Sequence, residues 1–266
     1  MEKLFTSAYN CIMTTNCTTK VQFTRALVRR WQLGAKFSLV SDDQPQPIDI
    51  PGRPSRPNLV DPRDLPRRRF NNASGSAALL HAITHIEFNA INLALDAVYR
   101  FRDMPRDYYD DWLSVADDEA RHFVLLKDRL QAIGFSYGDF DAHNGLWDMA
   151  IRTGHDVLVR MALVPRVMEA RGLDVTPGMI EKLCAIGDLE SADVLRIIMD
   201  EEVRHVEIGS RWFHYLCDQR HIPREHTYLD LMQQYAKGKV KPPLHRQARL
   251  AAGFSERELQ YLEGLL

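Results

Sequence analysis

Two hexapeptides 83 residues apart, Asp117-Asp118-Glu119-Ala120-Arg121-His122 and Asp200-Glu201-Glu202-Val203-Arg204-His205, are the same sequence with two substitutions. Self-similarity of this kind marks a duplicated structural unit. Each copy lies in a stretch whose apolar residues recur every three or four positions, the signature of an amphipathic helix. Long helical patterns run over about 74–101, 103–134, 146–171 and 189–219, with a shorter one at 177–186. Asp103 is the expected N-cap of the second, and Gly134 and Gly172 the expected stops of the second and third. The hexapeptides fall in the second member of each successive pair, so the chain reads as a duplicated helical hairpin. Helices of about 26 to 31 residues reach about 40 Å at 1.5 Å per residue, the dimension of a four-helix bundle. No segment alternates with period two over a convincing length, and the fold class is all-α.

The remaining sequence attaches to that bundle. Residues 1–34 predict an N-terminal helical arm ending at Gly34, and 35–73 an extended connector. The connector holds seven of the thirteen prolines, which remove backbone donors and bias their predecessors away from helix. The bundle occupies 74–219, and 220–266 forms a C-terminal extension with two further short helical patterns. Thirty-four basic and 36 acidic side chains give a net charge of -2, so the balance does not announce a nucleic-acid or membrane-surface protein. No membrane partner is expected, because no stretch approaches the roughly 18 apolar residues of a span. Four scattered cysteines without a CxxC pair exclude a disulfide framework and a thiolate zinc site, and predict a reducing, cytoplasmic compartment.

The chemistry lies in where the hexapeptides sit. Glu119 and His122 follow Trp112, Val115 and Ala116 and precede Phe123, Leu126 and Leu130; Glu202 and His205 fall between Ile198 and Ile208. The helical period therefore assigns a carboxylate and an imidazole to the core in both copies. A buried ionised carboxylate is several kcal/mol unfavourable unless it is paired or holds a metal. Glu-x-x-His advances about 300° around a helix, which leaves both side chains on one face, able to serve one ion. The first long pattern adds Glu87 to its apolar face, and the third adds Glu169. The separations are parallel: 32 residues from Glu87 to Glu119, and 33 from Glu169 to Glu202. Glu181 and Glu190 are rivals to Glu169 on nearby segments, but Pro165 favours Glu169, because local distortions of a helix often accompany functional sites.

Glu87, Glu119 with His122, Glu169, and Glu202 with His205 reproduce the pattern Glu, ExxH, Glu, ExxH. In this the chain resembles the ferritin-like di-iron carboxylate superfamily. Asp118-Glu119-Ala120-Arg121-His122 also matches the D-E-x-R-H form of its oxygen-activating members. Segments such as PGRPSRP, HIEFNAINLALD, ALVPRVMEARGLDVTPGMI and RWF further resemble a little-characterised bacterial ferritin-like family. The resemblance implies an antiparallel four-helix bundle with two iron ions, or manganese or a mixed Mn/Fe pair, on those six ligands. Asp118, Arg121, Glu201 and Arg204 would support the ligands from outside; the plain alternative for Asp118 and Arg121 is an i, i+3 surface pair. The implied activity is O2-dependent oxidation of an unidentified organic substrate, hydroxylase- or monooxygenase-like, with no catalytic residue assigned beyond the metal centre. Reducing equivalents would come from an external electron donor. The other readings are a ferroxidase or iron-handling protein, whose short bundles form cages, and a non-catalytic helical scaffold.

The other features have plainer explanations. His81 and His85 are turned away from Glu87 and read as structural or pocket-rim groups. His155, fourteen residues before Glu169, is about 21 Å along a helix, serves no common metal and reads as a satisfied buried histidine. The basic runs at 67–69 and 237–249 bear on nucleic acid, since one ferritin-like type hydroxylates a modified tRNA base. A modified nucleoside therefore stands beside other small molecules as a substrate, although a solvated or acid-pairing face is the commoner origin of such runs. Cys11, Cys17, Cys184 and Cys217 lack activating neighbours and read as small buried side chains.

Overall fold

The computed structural model describes residues 2–40, 43–66, 73–236 and 240–264, and these are predominantly helical. Among the described residues the strands are β1 (Glu2–Lys3) and β2 (Phe37–Ser38), two-residue segments paired in parallel. No helix among the described residues is long and apolar enough to cross a membrane. The chain divides into two compact units, residues 1–151 and 152–266, and each carries one of the hexapeptides.

In the first unit, α1 (Leu4–Met13) and α2 (Cys17–Gln32) are joined by a short turn. Asn16 caps α2 by accepting from Thr19 N at 3.0 Å. The chain turns away at Gly34, whose φ of +76° is a conformation glycine adopts without strain. The helices α3 (Ala73–Arg100) and α4 (Arg106–Ala132) pack along each other, with α1 against α3 and α2 against α4. Tyr9 meets Tyr99 and Phe5 meets Tyr109 at ring-centroid distances of 5.2 and 5.7 Å. The fully buried Lys20 knits three helices: Nζ donates to Cys11 O at 3.0 Å, Ile12 O at 2.6 Å and Asn92 Oδ1 at 2.6 Å. Two of those acceptors are carbonyls in the last turn of α1, where the helix dipole favours a cation. Asp103 does not cap α4; it takes a φ of +65°, and Pro105 occupies the N-cap position. The missing proline N–H costs nothing there, because the first helical donors have no intrahelical partner.

The described connector residues 43–66 run extended across this unit. Gln46 N donates to Tyr99 Oη at 2.7 Å, Trp147 Nε1 to Ile48 O at 3.1 Å, and Gly52 N to Ile12 O at 3.0 Å. Gly52 is obligatory for sterics, since a Cβ would stand 2.2 Å from Met13 O. Residues 58–60 exchange backbone hydrogen bonds with Ala142. The basic run at 67–69 lies outside the described residues, as do 237–239 of the second run.

The expected single helix over 146–171 is broken. It resolves into α5 (Gly145–Arg152), α6 (Val157–Leu163), a π-helix (Val164–Glu169) and α7 (Ala170–Ala185). Asp156 starts α6 afresh: its side chain accepts from Leu158 N at 2.8 Å and holds both guanidinium arms of Arg220 at 2.7 Å. The π-turn follows from Pro165, whose absent N–H and bulky ring prevent the ordinary i→i-4 bond, so the turn widens. Gly172 is not a stop. The helix continues through it and Pro177 and absorbs the expected 177–186 helix, because buried Leu173, Asp174 and Leu183 anchor it. Tertiary packing here outweighs the local preference of glycine and proline.

In the second unit α7 packs along α8 (Leu189–Gln219), which starts at the Asp188 cap, accepting from Ser191 N at 3.2 Å. α6 and the π-helix also lie on α8, and the approach is tight at Gly209 beside Pro165. Among its described residues the tail forms three helices, α9 (Arg224–Tyr235), α10 (Arg246–Ala251) and α11 (Glu256–Leu262), where the sequence suggested two. Its basic stretch is partly consumed by acid pairing: Arg246 contacts Glu256 and Glu263, and Arg249 is buried on Asp174.

Candidate metal centre

Helices α3 and α4 bring Glu87, Glu119 and His122 together in the first unit. Each offers a ligand atom, and these atoms lie within 4.8 Å of one another. His122 Nδ1 is 3.3 Å from Glu87 Oε2 and 3.6 Å from Glu119 Oε2, with side-chain exposures of 0, 5 and 1% respectively. The convergence comes from the packing of α3 on α4 combined with the Glu-x-x-His spacing, which stacks Glu119 and His122 one turn apart. Burial opposes charge on the imidazole, yet the Glu119 and Glu87 carboxylates overcome it and hold its pKa up at about 11. The two buried carboxylates thus favour positive charge beside them, and a divalent cation would carry two units of it where an imidazolium carries one. Hard carboxylate oxygens with an imidazole nitrogen form a donor set suited to iron, manganese or zinc, so these residues fit a metal ion. Phe88 and Phe123, in the same pair of helices that carries the group, pack mutually with Tyr137 at ring-centroid distances of 5.3–5.8 Å.

In the second unit α8 holds His205 Nδ1 3.3 Å from Glu202 Oε1, with His205 fully buried and the Glu202 side chain 13% exposed. Glu169 closes the π-helix and is partly buried. The expected ligands are therefore distributed as Glu87, Glu119 and His122 in one unit, and Glu169, Glu202 and His205 in the other.

The flanking charges are less sequestered. Arg121 Nη2 lies 3.6 Å from Asp118 Oδ1, the i, i+3 pair that the sequence offered as the plain reading, with both side chains partly exposed. Glu201 is partly exposed and Arg204 exposed. His81 Nε2 accepts from Gly138 N at 2.9 Å, a structural role, whereas His155 is exposed rather than buried and stacks on Tyr235. His85 is a pocket-rim group: with Asn89 and His143 it lines a cavity of about 60 Å³. Its Nδ1 lies 2.8 Å from Tyr137 Oη, and burial, aided by nearby His81, His143 and Arg53, lowers its pKa to about 3. All four cysteines are free thiols, and burial pushes Cys11, Cys17 and Cys217 up to about 11. Sequence reasoning passed over the buried cations Lys20, Arg160, Arg166 and Arg249. For Lys20 the available signal was its place on the helix face of buried Thr24, Leu27 and Trp31, and for Arg166 its place between Val164, Pro165 and Val167.

A family model described as "Protein of unknown function (DUF455)" matches residues 13–260. An uncharacterised protein of Haemophilus influenzae is 44% identical over 221 residues, 80% of this chain and 77% of the relative. No solved structure matches. With nearly its whole length matched, the chain belongs to the DUF455 family of proteins of unknown function.

Proposed function

We propose that this protein is a ferritin-like di-iron carboxylate oxidoreductase that uses O2 to oxidise a small organic substrate. The observation that carries the reading is the buried convergence of Glu87, Glu119 and His122, an arrangement that favours a cation and has a sequence counterpart in Glu169, Glu202 and His205. Duplication supports the second ion: each half of the repeat supplies one bridging-type carboxylate and one Glu-x-x-His pair, the four-helix-bundle recipe for a dinuclear centre.

Two iron ions in such a donor set supply the activation of oxygen, and manganese in one or both places would leave the ligand roles unchanged. The side chains of the chain do the rest. Glu87 and Glu119 bring the negative charge that favours a higher metal oxidation state, and His122 and His205 would ligate as neutral imidazoles. Burial of Glu87, Glu119 and His122 keeps bulk water from the first half-set. Asp118, Arg121, Glu201 and Arg204 act from outside, on the charge and orientation of the ligands. A small molecule or modified nucleoside is the substrate class, and a separate protein delivers electrons.

Anaerobic loading with Fe(II) followed by exposure to O2 tests the reading. About two irons per chain should bind and oxidise once with a transient near-ultraviolet or visible band, in a particle smaller than a cage of twelve or more subunits. Repeated oxidation of many irons per chain in a large particle would make it an iron-storage protein. Absence of any oxidation, or oxidation unaltered by Glu119→Ala, would remove the reading altogether.

A further inference from the structure

The C-terminal helices converge on the segment that carries Glu169. Arg166, three residues earlier in the π-helix, is fully buried. Its Nη2 donates to Glu258 Oε2 at 2.8 Å and its Nε to Ser210 Oγ at 3.1 Å. The guanidinium lies 4.2, 4.5 and 4.8 Å from the ring centroids of Tyr228, Phe254 and Phe213. Glu258 is itself fixed by a capping box, its Oε2 accepting from Ser255 N at 2.8 Å. Five residues beyond Glu169, buried Asp174 receives both arms of buried Arg249 at 2.9 and 2.7 Å. The tail also grips the backbone on each side: Tyr228 Oη donates to Arg166 O and Arg249 Nη2 to Ala170 O, both at 3.4 Å.

Each of these contacts has a cost that only the complete set offsets. A buried guanidinium or carboxylate stripped of its partner is strongly unfavourable, so the tail cannot shift without the π-turn shifting too. A π-turn is rare because its hydrogen bonding is less favourable than that of an α-turn, and the one at Val164–Glu169 has a proline at its second position. It therefore needs support from outside the helix. Two buried ion pairs, one before and one after Glu169, supply that support from a part of the chain about 75 to 90 residues away.

We propose that Glu258 and Arg249 are positioning residues for Glu169: through Arg166 and Asp174 the C-terminal extension fixes the register of the π-helix and so the placement of a metal-ligating carboxylate. The inference rests on Glu169 being a metal ligand. It gives the C-terminal extension a task beyond closing the fold.

Cobalt(II) titration of metal-stripped full-length protein, read by visible absorption and by equilibrium binding, tests it. The wild-type chain should bind two Co(II), and Glu169→Gln should weaken one ion and alter its bands. Glu258→Gln should weaken the same ion by about tenfold and produce the same band change, the size typical of losing an outer support of a ligand. Phe254→Leu, which opens the aromatic enclosure of Arg166 without touching a charge, should move the bands in the same direction and guards against a Glu258 variant that fails to fold. Leu231→Ala, a truncation of a buried residue in α9, should lower thermal stability and leave the bands in place. Wild-type bands and affinities in both Glu258→Gln and Phe254→Leu, beside an altered Glu169→Gln, would overturn the inference and leave the metal centre standing. Two ions bound normally by Glu169→Gln would overturn the role of Glu169 itself, and the inference with it.

Discussion

Gly209→Ala distinguishes a tight helix contact from an ordinary helix surface by the sign of its effect. In an exposed helix interior the change stabilises by about 0.8–1 kcal/mol, because alanine loses less backbone entropy than glycine. At position 209 the new Cβ would lie 2.2 Å from Pro165 Cγ and 2.3 Å from Pro165 Cβ. Carbon atoms prefer about 3.5–4.0 Å, so the π-helix and α8 must part by roughly 1.3 Å or more. The proline ring cannot rotate away like the end of a flexible side chain, and its neighbours Val164 and Arg166 are buried. Overpacking of this kind costs about 1–3 kcal/mol, which offsets the propensity gain and leaves a net loss of up to about 2 kcal/mol. Gly178, in α7 with nothing within 4 Å of its would-be Cβ, provides the internal reference. Urea denaturation should show the midpoint of Gly209→Ala falling and that of Gly178→Ala rising, each with an unchanged m-value. A Gly209→Ala protein as stable as Gly178→Ala would refute the close approach, and with it the tight packing of the π-turn on α8.

Further outcomes follow from buried titratable groups. Burial lowers the Lys20 pKa to about 7, opposed by nearby Cys11 and Cys17, so above that pH the unfolded chain binds more protons than the folded one. Stability should therefore rise from about pH 7 toward the ordinary lysine pKa, by at most about 1.4 kcal/mol per pH unit, and Lys20→Met should flatten that rise in urea midpoints. His85 is neutral when folded and titrates near pH 3, below its unfolded value, so its contribution is present above about pH 6.5 and lost on acidification toward pH 3. His85→Phe should reduce the acid sensitivity of the thermal midpoint across that window; an unchanged profile would show that His85 does not set it. Asp174→Asn leaves the Arg249 guanidinium buried without a counter-charge and should lower stability by about 3–5 kcal/mol in calorimetry or urea titration.

The sequence was most legible where local signals agree with packing. α8 begins and ends where its period indicates, and Gly134, with a φ of +84°, marks the end of α4. The Glu-x-x-His pairs were legible because helical spacing alone brings their members together, and α3 adds Glu87 to the first pair by packing along α4. What escaped depends on partners distant in sequence. The break before α6 is held by Arg220, 64 residues from Asp156. The continuation through Gly172 and Pro177 is anchored by Arg249 on Asp174, 75 residues apart. Arg166 and Glu258, 92 residues apart, carry no local motif that would pair them. Asp103 failed as a cap for a different reason: its positive φ places it in a turn ahead of the helix.

Metal content tests the central claim most directly. Full-length protein loaded with Fe(II) under anaerobic conditions and freed of excess metal should retain about two irons per chain. Glu119→Ala and His205→Ala, each confirmed as folded by far-ultraviolet circular dichroism, should each retain clearly less, and the double variant close to none. A wild-type chain without stoichiometric metal, or a double variant that still holds two irons, would contradict the account.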